Sequence, residues 1–310
     1  MPESLIHVLL NPIPQYVLGV FPGIAINGDT PMEKLTMKLG WVLRCLGCPF
    51  TGMFYACNVG TDKVAICTYW ISSDKFIQQD GQNLSSRPIG THTMTLNLDK
   101  DRIRQCTGRA SVLDRMSSIV SVYFIVVGVI SGISKLHKPP NEEPCEDWPY
   151  IPMLLFWTVP ATIKRIFWGN LIFKDPNEIF EDNVITVQDI GPIKKNHLIV
   201  TVTLTALVSI FLPWLTVFLA YYTPPIGYFC RSKYLTTVCA IWSFNSLIAY
   251  IVHLKGERHV SDRFFHVWFS ICGFVVAFLL LALGILAEFS ELWTVFSSSC
   301  DISSSCTRGV

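Results

Sequence analysis

The densest reactive chemistry in the chain is carried by sulfur. Cys45 and Cys48 form a C-x-x-C pair in "RCLGCPF", and Cys57 and Cys67 follow. Four thiolates around a small cage would make a zinc site, and a close pair alone would make a redox dithiol. A zinc ribbon uses two close-spaced pairs, whereas here nine residues separate Cys57 from Cys67. The flanking Trp41, Leu46, Phe50, Phe54 and Tyr55 are apolar. Reduced thiols in an apolar segment are the plainer reading, with palmitoylation at a membrane surface as a further one. No metal and no cofactor are expected.

Hydroxyl and amide groups offer a second chemistry. Thr201, Thr205 and Ser209 recur every four residues, followed by Pro213, which places them on one helical face. Ser243, Asn245 and Ser246 sit in a later apolar stretch. An amide surrounded by hydrocarbon needs a hydrogen-bond partner. Thr201, Thr205, Ser209, Ser243 and Asn245 therefore either line a polar path for a small solute or hold helices together. The sequence has no HExxH, no GxSxG and no carboxylate at the centre of an apolar stretch, so an enzyme is not expected. It also lacks a basic stripe with interleaved aromatics, so nucleic acid is not an expected partner.

These groups must be positioned by unusually apolar elements. Hydrophobic residues make up 51% of the 310-residue chain and charged residues 15%, against a usual charged share of about 25%. Mean hydropathy is +0.42. Five stretches approach the roughly 20 apolar residues that a spanning helix needs: 116–133, 148–163, 198–222, 234–254 and 264–287. The second is short and carries Pro152 and Pro160; its other reading is one longer tilted span reaching Phe173. The expected fold class is an all-α membrane protein of about five transmembrane helices, over residues 116–287. An irregular, partly β amino-terminal region, 1–115, is expected to be cytosolic or interfacial, and residues 288–310 form a tail. Within 1–115, the proline-broken stretch 5–26 reads as interfacial, re-entrant or a sixth span. "KVAICTYWIS" and "THTMTLNL" read as strands, and residues 81–90 as a loop. No secretory signal is evident.

Charge assigns sides, because Lys and Arg gather on the cytosolic face. Thirteen such residues fall within 100–115, just before the first span, and in the segments after the second and after the fourth; five fall in the alternate segments. The amino terminus is thus expected in the cytosol and the carboxyl terminus outside or lumenal. Asn83-Leu84-Ser85 matches a glycosylation acceptor, but on the cytosolic side it would be unused. Cys145, Cys230, Cys300 and Cys306 then fall on the non-cytosolic side, where disulfides form. Lys164, Arg165, Arg231 and Lys233 sit at span ends, where long cationic stems reach headgroups. Phe167 and Trp168 suit the same depth. Gly128 and Gly132, and likewise Gly273 and Ala277, have the small-xxx-small spacing that lets helices of this chain or of membrane-protein partners approach. The acidic run 175–189 reads as a solvated loop or a docking site for a basic partner.

"TPPIGYFCRSKYL", directly after an apolar span, resembles a turn in multi-span fungal membrane proteins of no known activity. The residues that carry it are Pro225, Gly227, Cys230, Arg231 and Ser232. The resemblance covers about the last third of the chain; it implies helical fold and membrane residence and no activity. The expected function is that of an integral multi-pass membrane protein in a plasma or internal membrane. A transporter or channel-like protein for a small solute, and a membrane anchor or assembly subunit, are the alternatives.

Overall fold

Long apolar runs satisfy their own backbone hydrogen bonds as helices, and the described residues are mostly helical. The computed structural model describes residues 35–58, 79–80, 83–84, 107–135, 153–172, 192–222, 227–228, 230–255 and 262–288. Its helices are α1 (Leu35–Gly47), α2 (Pro49–Asn58), α3 (Val112–Lys135), α4 (Val159–Phe167), α5 (Pro192–Tyr222), α6 (Cys230–Lys255) and α7 (Asp262–Glu288). A 3-10 turn, Leu155–Thr158, leads into α4. Short antiparallel pairs join β1 (Gln79–Asp80) to β2 (Asn83–Leu84), and β3 (Thr107–Arg109) to β4 (Asn170–Ile172).

Among the described residues, three helices are long and apolar enough to cross a membrane, over Val112–Ser134, Ile199–Tyr222 and Ser232–Val252. Helix α7 runs for 27 residues and contains the shorter apolar stretch Val267–Ala282. Their outward faces are apolar. Leu204, Leu207, Phe211, Leu215 and Phe218 form an exposed stripe along α5. Phe264, Val267, Ile271, Phe274, Phe278 and Leu281 do the same on α7. Several small polar side chains instead face inward, among them Ser118, Ser121, Thr162, Ser209 and Ser246. Such surfaces suit a lipid bilayer.

The stretch expected as a second span is built otherwise. The described chain passes through the 3-10 turn into a nine-residue α4, only about 14 Å of helix. Pro160 sits in the first turn of α4, where its missing N–H is harmless and its fixed φ starts a helix afresh. Met153, Leu154, Leu155, Trp157 and Thr158 are all buried, so this run is core rather than lipid-facing surface. It runs antiparallel to α3. At one end, a Cβ on Gly132 would stand 2.5 Å from Met153 Sδ. At the other, Arg165 lies 3.8 Å from Asp114. β3 pairs with β4 from Thr107↔Ile172 to Arg109↔Asn170, so the residues before α3 and after α4 share one end of the bundle.

Helices α5, α6 and α7 pack as an antiparallel series. Trp214 Nε1 donates to Ser243 Oγ (2.8 Å), and Thr203 and Tyr250 hydroxyls meet at 3.1 Å. Between α6 and α7, Tyr234 donates to the Leu279 carbonyl at 2.7 Å. Trp157 and Trp242 meet edge to face with centroids 6.0 Å apart, amid Ile125, Val238, Cys239 and Val276.

The amino-terminal region departs from expectation. Residues 35–58 are not irregular chain outside the bundle but two helices within it, with Trp41, Cys48 and Phe54 buried. In a continuous helix, positions seven apart lie about 10 Å apart along the axis. Here a Cβ on Gly52 would stand 3.0 Å from that of Cys45, so α2 turns back on α1 at Cys48. The two runs expected as strands, 63–72 and 91–98, lie outside the described residues; β1 and β2 fall between them, β2 within the stretch expected as a loop. The stretch 5–26 and the acidic run 175–189 also lie outside the described residues.

Candidate functional site

A bend between two helices leaves carbonyls at the end of the first and N–H groups at the start of the second without intrahelical partners. At the α1–α2 turn these groups are met by side chains of α6. Trp242 Nε1 donates to the Leu46 carbonyl at 2.6 Å, and Asn245 Nδ2 donates to the Gly47 carbonyl at 2.8 Å. The Phe50 N–H donates to Ser246 Oγ at 3.3 Å. Asn245 Oδ1 in turn accepts from Trp268 Nε1 of α7 at 2.9 Å. Trp242, Asn245 and Ser246 lie on one face of α6 near the middle of its apolar stretch, and all three have no exposed surface. The tip of the hairpin is therefore fastened at the centre of the bundle.

Sequence determines the bend. Gly47, then Cys48, then Pro49 place a residue without a side chain at the end of α1 and a proline at the first position of α2. Gly47 has a second duty. A Cβ there would run into the Phe269 carbonyl oxygen of α7, and one on Gly273 into the Leu43 carbonyl oxygen of α1. The two glycines let the backbones of α1 and α7 touch. Arg44 Nε reaches Ser270 Oγ at 3.3 Å beside this crossing.

The two cysteines near the tip, Cys45 and Cys48, are buried thiols outside any disulfide. Cys48 Sγ lies 3.6 Å from the Asn245 carbonyl oxygen and 3.3 Å from Thr51 Oγ1. Among the described residues, no group of three or more His, Cys, Asp or Glu side chains converges to hold a metal ion. Burial of both thiols also keeps Cys45 and Cys48 from an acyl donor at a membrane surface.

The five polar residues that could line a path bond in different directions. Thr205 Oγ1 donates to the Thr201 carbonyl (2.9 Å), and Ser209 Oγ to that of Ala206 (2.9 Å), both within α5. Ser243 accepts from Trp214 toward α5, whereas Asn245 bonds toward α1 and α7. The small residues are also engaged inside the chain: Gly273 against α1, Gly132 against Met153. Gly128 is buried in α3, and Ala277 is partly buried against the core.

At the bundle end, the Arg165 side chain is 9% exposed and bridges to Asp114, while Lys164 is half-buried and Lys233 exposed. Phe167 and Trp168 are exposed at 72% and 62%. After α5, Gly227 adopts φ 150°, which side chains rarely adopt, and its N–H donates to the Tyr221 carbonyl at 3.1 Å. Ser232 Oγ returns a bond to the Gly227 carbonyl at 3.4 Å, closing the reversal into α6. Cys145, Cys300 and Cys306 lie outside the described residues, as do the side chains of Cys230 and Arg231.

Residue chemistry points to Ser246 and Asn245 but not to Trp242 or Gly47. The Gly-Cys-Pro break is the signal available for Gly47; nothing local marks Trp242, and nothing local shows which group Ser246 meets, because the partners lie about two hundred positions away. Compared with known proteins, the chain matches no protein-family model, no curated protein and no solved structure.

Proposed function

We propose that the protein is an integral multi-pass membrane protein whose helices form a dry, packed scaffold, serving as a membrane anchor or assembly subunit rather than as a solute path. The observation that carries this reading is the Asn245 amide, which bonds to α1 and α7 instead of facing an aqueous space. Apolar stripes on α5 and α7 support residence in lipid. The cations around α3 and α4 support a cytosolic location for that end. The turn from Pro225 to Ser232 supports kinship with the fungal multi-span proteins it resembles.

The helix break at Cys48 favours a second reading, passage of a small solute, because broken helices carry binding sites in transporters. Cysteine labelling separates the two. In sealed vesicles, Ser209→Cys, Ser243→Cys and Asn245→Cys are expected to add no reactivity toward a membrane-impermeant thiol reagent from either side. Rapid labelling of any of them in folded protein would overturn the dry scaffold and support the solute path.

A further inference from the structure

The bundle end where α3 begins and α4 finishes places Arg165 beside Asp114 and Arg115 against Gly169, just after α4. The Asp114 carboxylate is already engaged. Its Oδ2 accepts from the Ser111 N–H at 3.0 Å and from Ser111 Oγ at 2.7 Å, while Ser111 Oγ accepts from the Asp114 N–H at 3.2 Å. This reciprocal cap closes the start of α3. Oδ1 stands 3.8 Å from Arg165. Arg115 gains nothing from this arrangement. Its Nε is buried without a hydrogen-bond partner among the described residues. It also sits in the first turn of α3, where the helix dipole is already positive.

The backbone is shaped around this cation. Gly169 takes φ +62°, and a Cβ there would come within 2.7 Å of Arg115 Nε and Cζ. Glycine takes that conformation without strain, and its lack of a side chain lets the guanidinium lie against the backbone. Apolar side chains stand exposed around the pair: Val112 at 80%, Leu113 at 81%, Phe167 at 72% and Trp168 at 62%. A half-buried guanidinium whose Nε has no partner among the described residues suits an oxyanion, and its planar fork matches phosphate. The apolar rim calls for hydrocarbon beside it. Soluble phosphate shares the oxyanion but has no use for the rim.

We propose that Arg115 and Arg165, seated against Gly169, bind the phosphate oxygens of an anionic phospholipid headgroup whose chains lie along Val112, Leu113, Phe167 and Trp168. This rests on the membrane reading above. Such a site would hold the hairpin of α3 and α4 at the headgroup layer and make the fold sensitive to lipid charge.

The full chain, purified in neutral detergent, would be titrated with phosphatidylglycerol, phosphatidylcholine or inorganic phosphate while its thermal unfolding midpoint is read. Phosphatidylglycerol is expected to raise the midpoint, and the other two are not. Arg115→Gln is expected to weaken the phosphatidylglycerol response by about fivefold, the share of one interfacial cation. Arg115→Lys, which keeps charge but loses the fork, should fall between, and Thr237→Ala, an exposed hydroxyl bonded within its own helix, should match the unaltered protein. Equal responses to the two lipids, or an undiminished response in both Arg115 variants, would overturn the site. An equal response to inorganic phosphate would overturn the lipid assignment. If Arg115→Gln does not fold, Arg115→Lys and the lipid selectivity of the unaltered protein decide the matter. An alkaline carbonate wash of membranes tests the underlying reading separately: release of the protein overturns membrane integration, whereas retention without lipid selectivity overturns the site alone.

Discussion

The Asn245 amide closes two gaps at once, accepting from Trp268 on α7 and donating to the last carbonyl of α1. Replacing it with alanine strands both partners in a buried setting. Each unsatisfied group costs about 1–3 kcal/mol. Asn245→Ala is therefore expected to lower the thermal unfolding midpoint in detergent clearly. Thr237→Ala is the control, since that exposed hydroxyl bonds only to the Lys233 carbonyl one turn back on its own helix; its effect should stay within about 0.5 kcal/mol. If the two variants unfold alike, Asn245 is not the fastening point. That a mid-helix amide needs a partner is legible in the sequence, because burying it alone is unfavourable. Which partner is not legible, since Gly47 lies 198 positions away and no local pattern connects them.

At the scale of elements, the hairpin of α1 and α2 is held on one side by α6 and on the other by the backbone crossing with α7. The crossing depends on two absent side chains, at Gly47 and Gly273. Gly273→Ala is expected to push α1 away from α7 and to cost about 1–3 kcal/mol, as overpacking does. Its signature would be a fall in disulfide yield between Arg44→Cys and Ser270→Cys, two positions now in hydrogen-bond contact. An unchanged yield and midpoint would mean that the helices do not meet there. Helices α5, α6 and α7 are legible because each is a long apolar run, and such runs have few other ways to satisfy their backbone. The hairpin is not, because its helices have only 13 and 10 residues, too short to stand out by periodicity or length. The shortness of α4 has a local cause in Pro160, but its burial depends on α3 and α2 packing against it.

Viewed whole, the molecule inverts the usual distribution: apolar stripes face outward while serines, threonines and Asn245 lie inside. Composition makes the outward half of that pattern legible, since a chain this poor in charge cannot cover itself with polar surface. The inward half depends on rotation of each helix, which small periodic residues such as Thr201, Thr205 and Ser209 indicate for α5 only. The arrangement also makes stability a collective property. The hairpin tip has no satisfactory surroundings until α6 is in place. A chain ending before Cys230 is accordingly expected to leave Cys48 open to thiol reagents, while in the full chain Cys48 stays unreactive. Protection of Cys48 in the shortened chain would show that the tip finds shelter without α6.

The fastening of the Leu46 and Gly47 carbonyls carries a consequence for how the chain is made. Their donors, Trp242 and Asn245, leave the ribosome nearly two hundred residues later, or roughly ten to forty seconds at ordinary synthesis rates. During that delay α1 and α2 have a bent backbone and no final partner, so they must wait at the membrane surface or in the keeping of an insertion factor. Helices α1 and α2, made well before α6, are thus seated only once α6 has emerged.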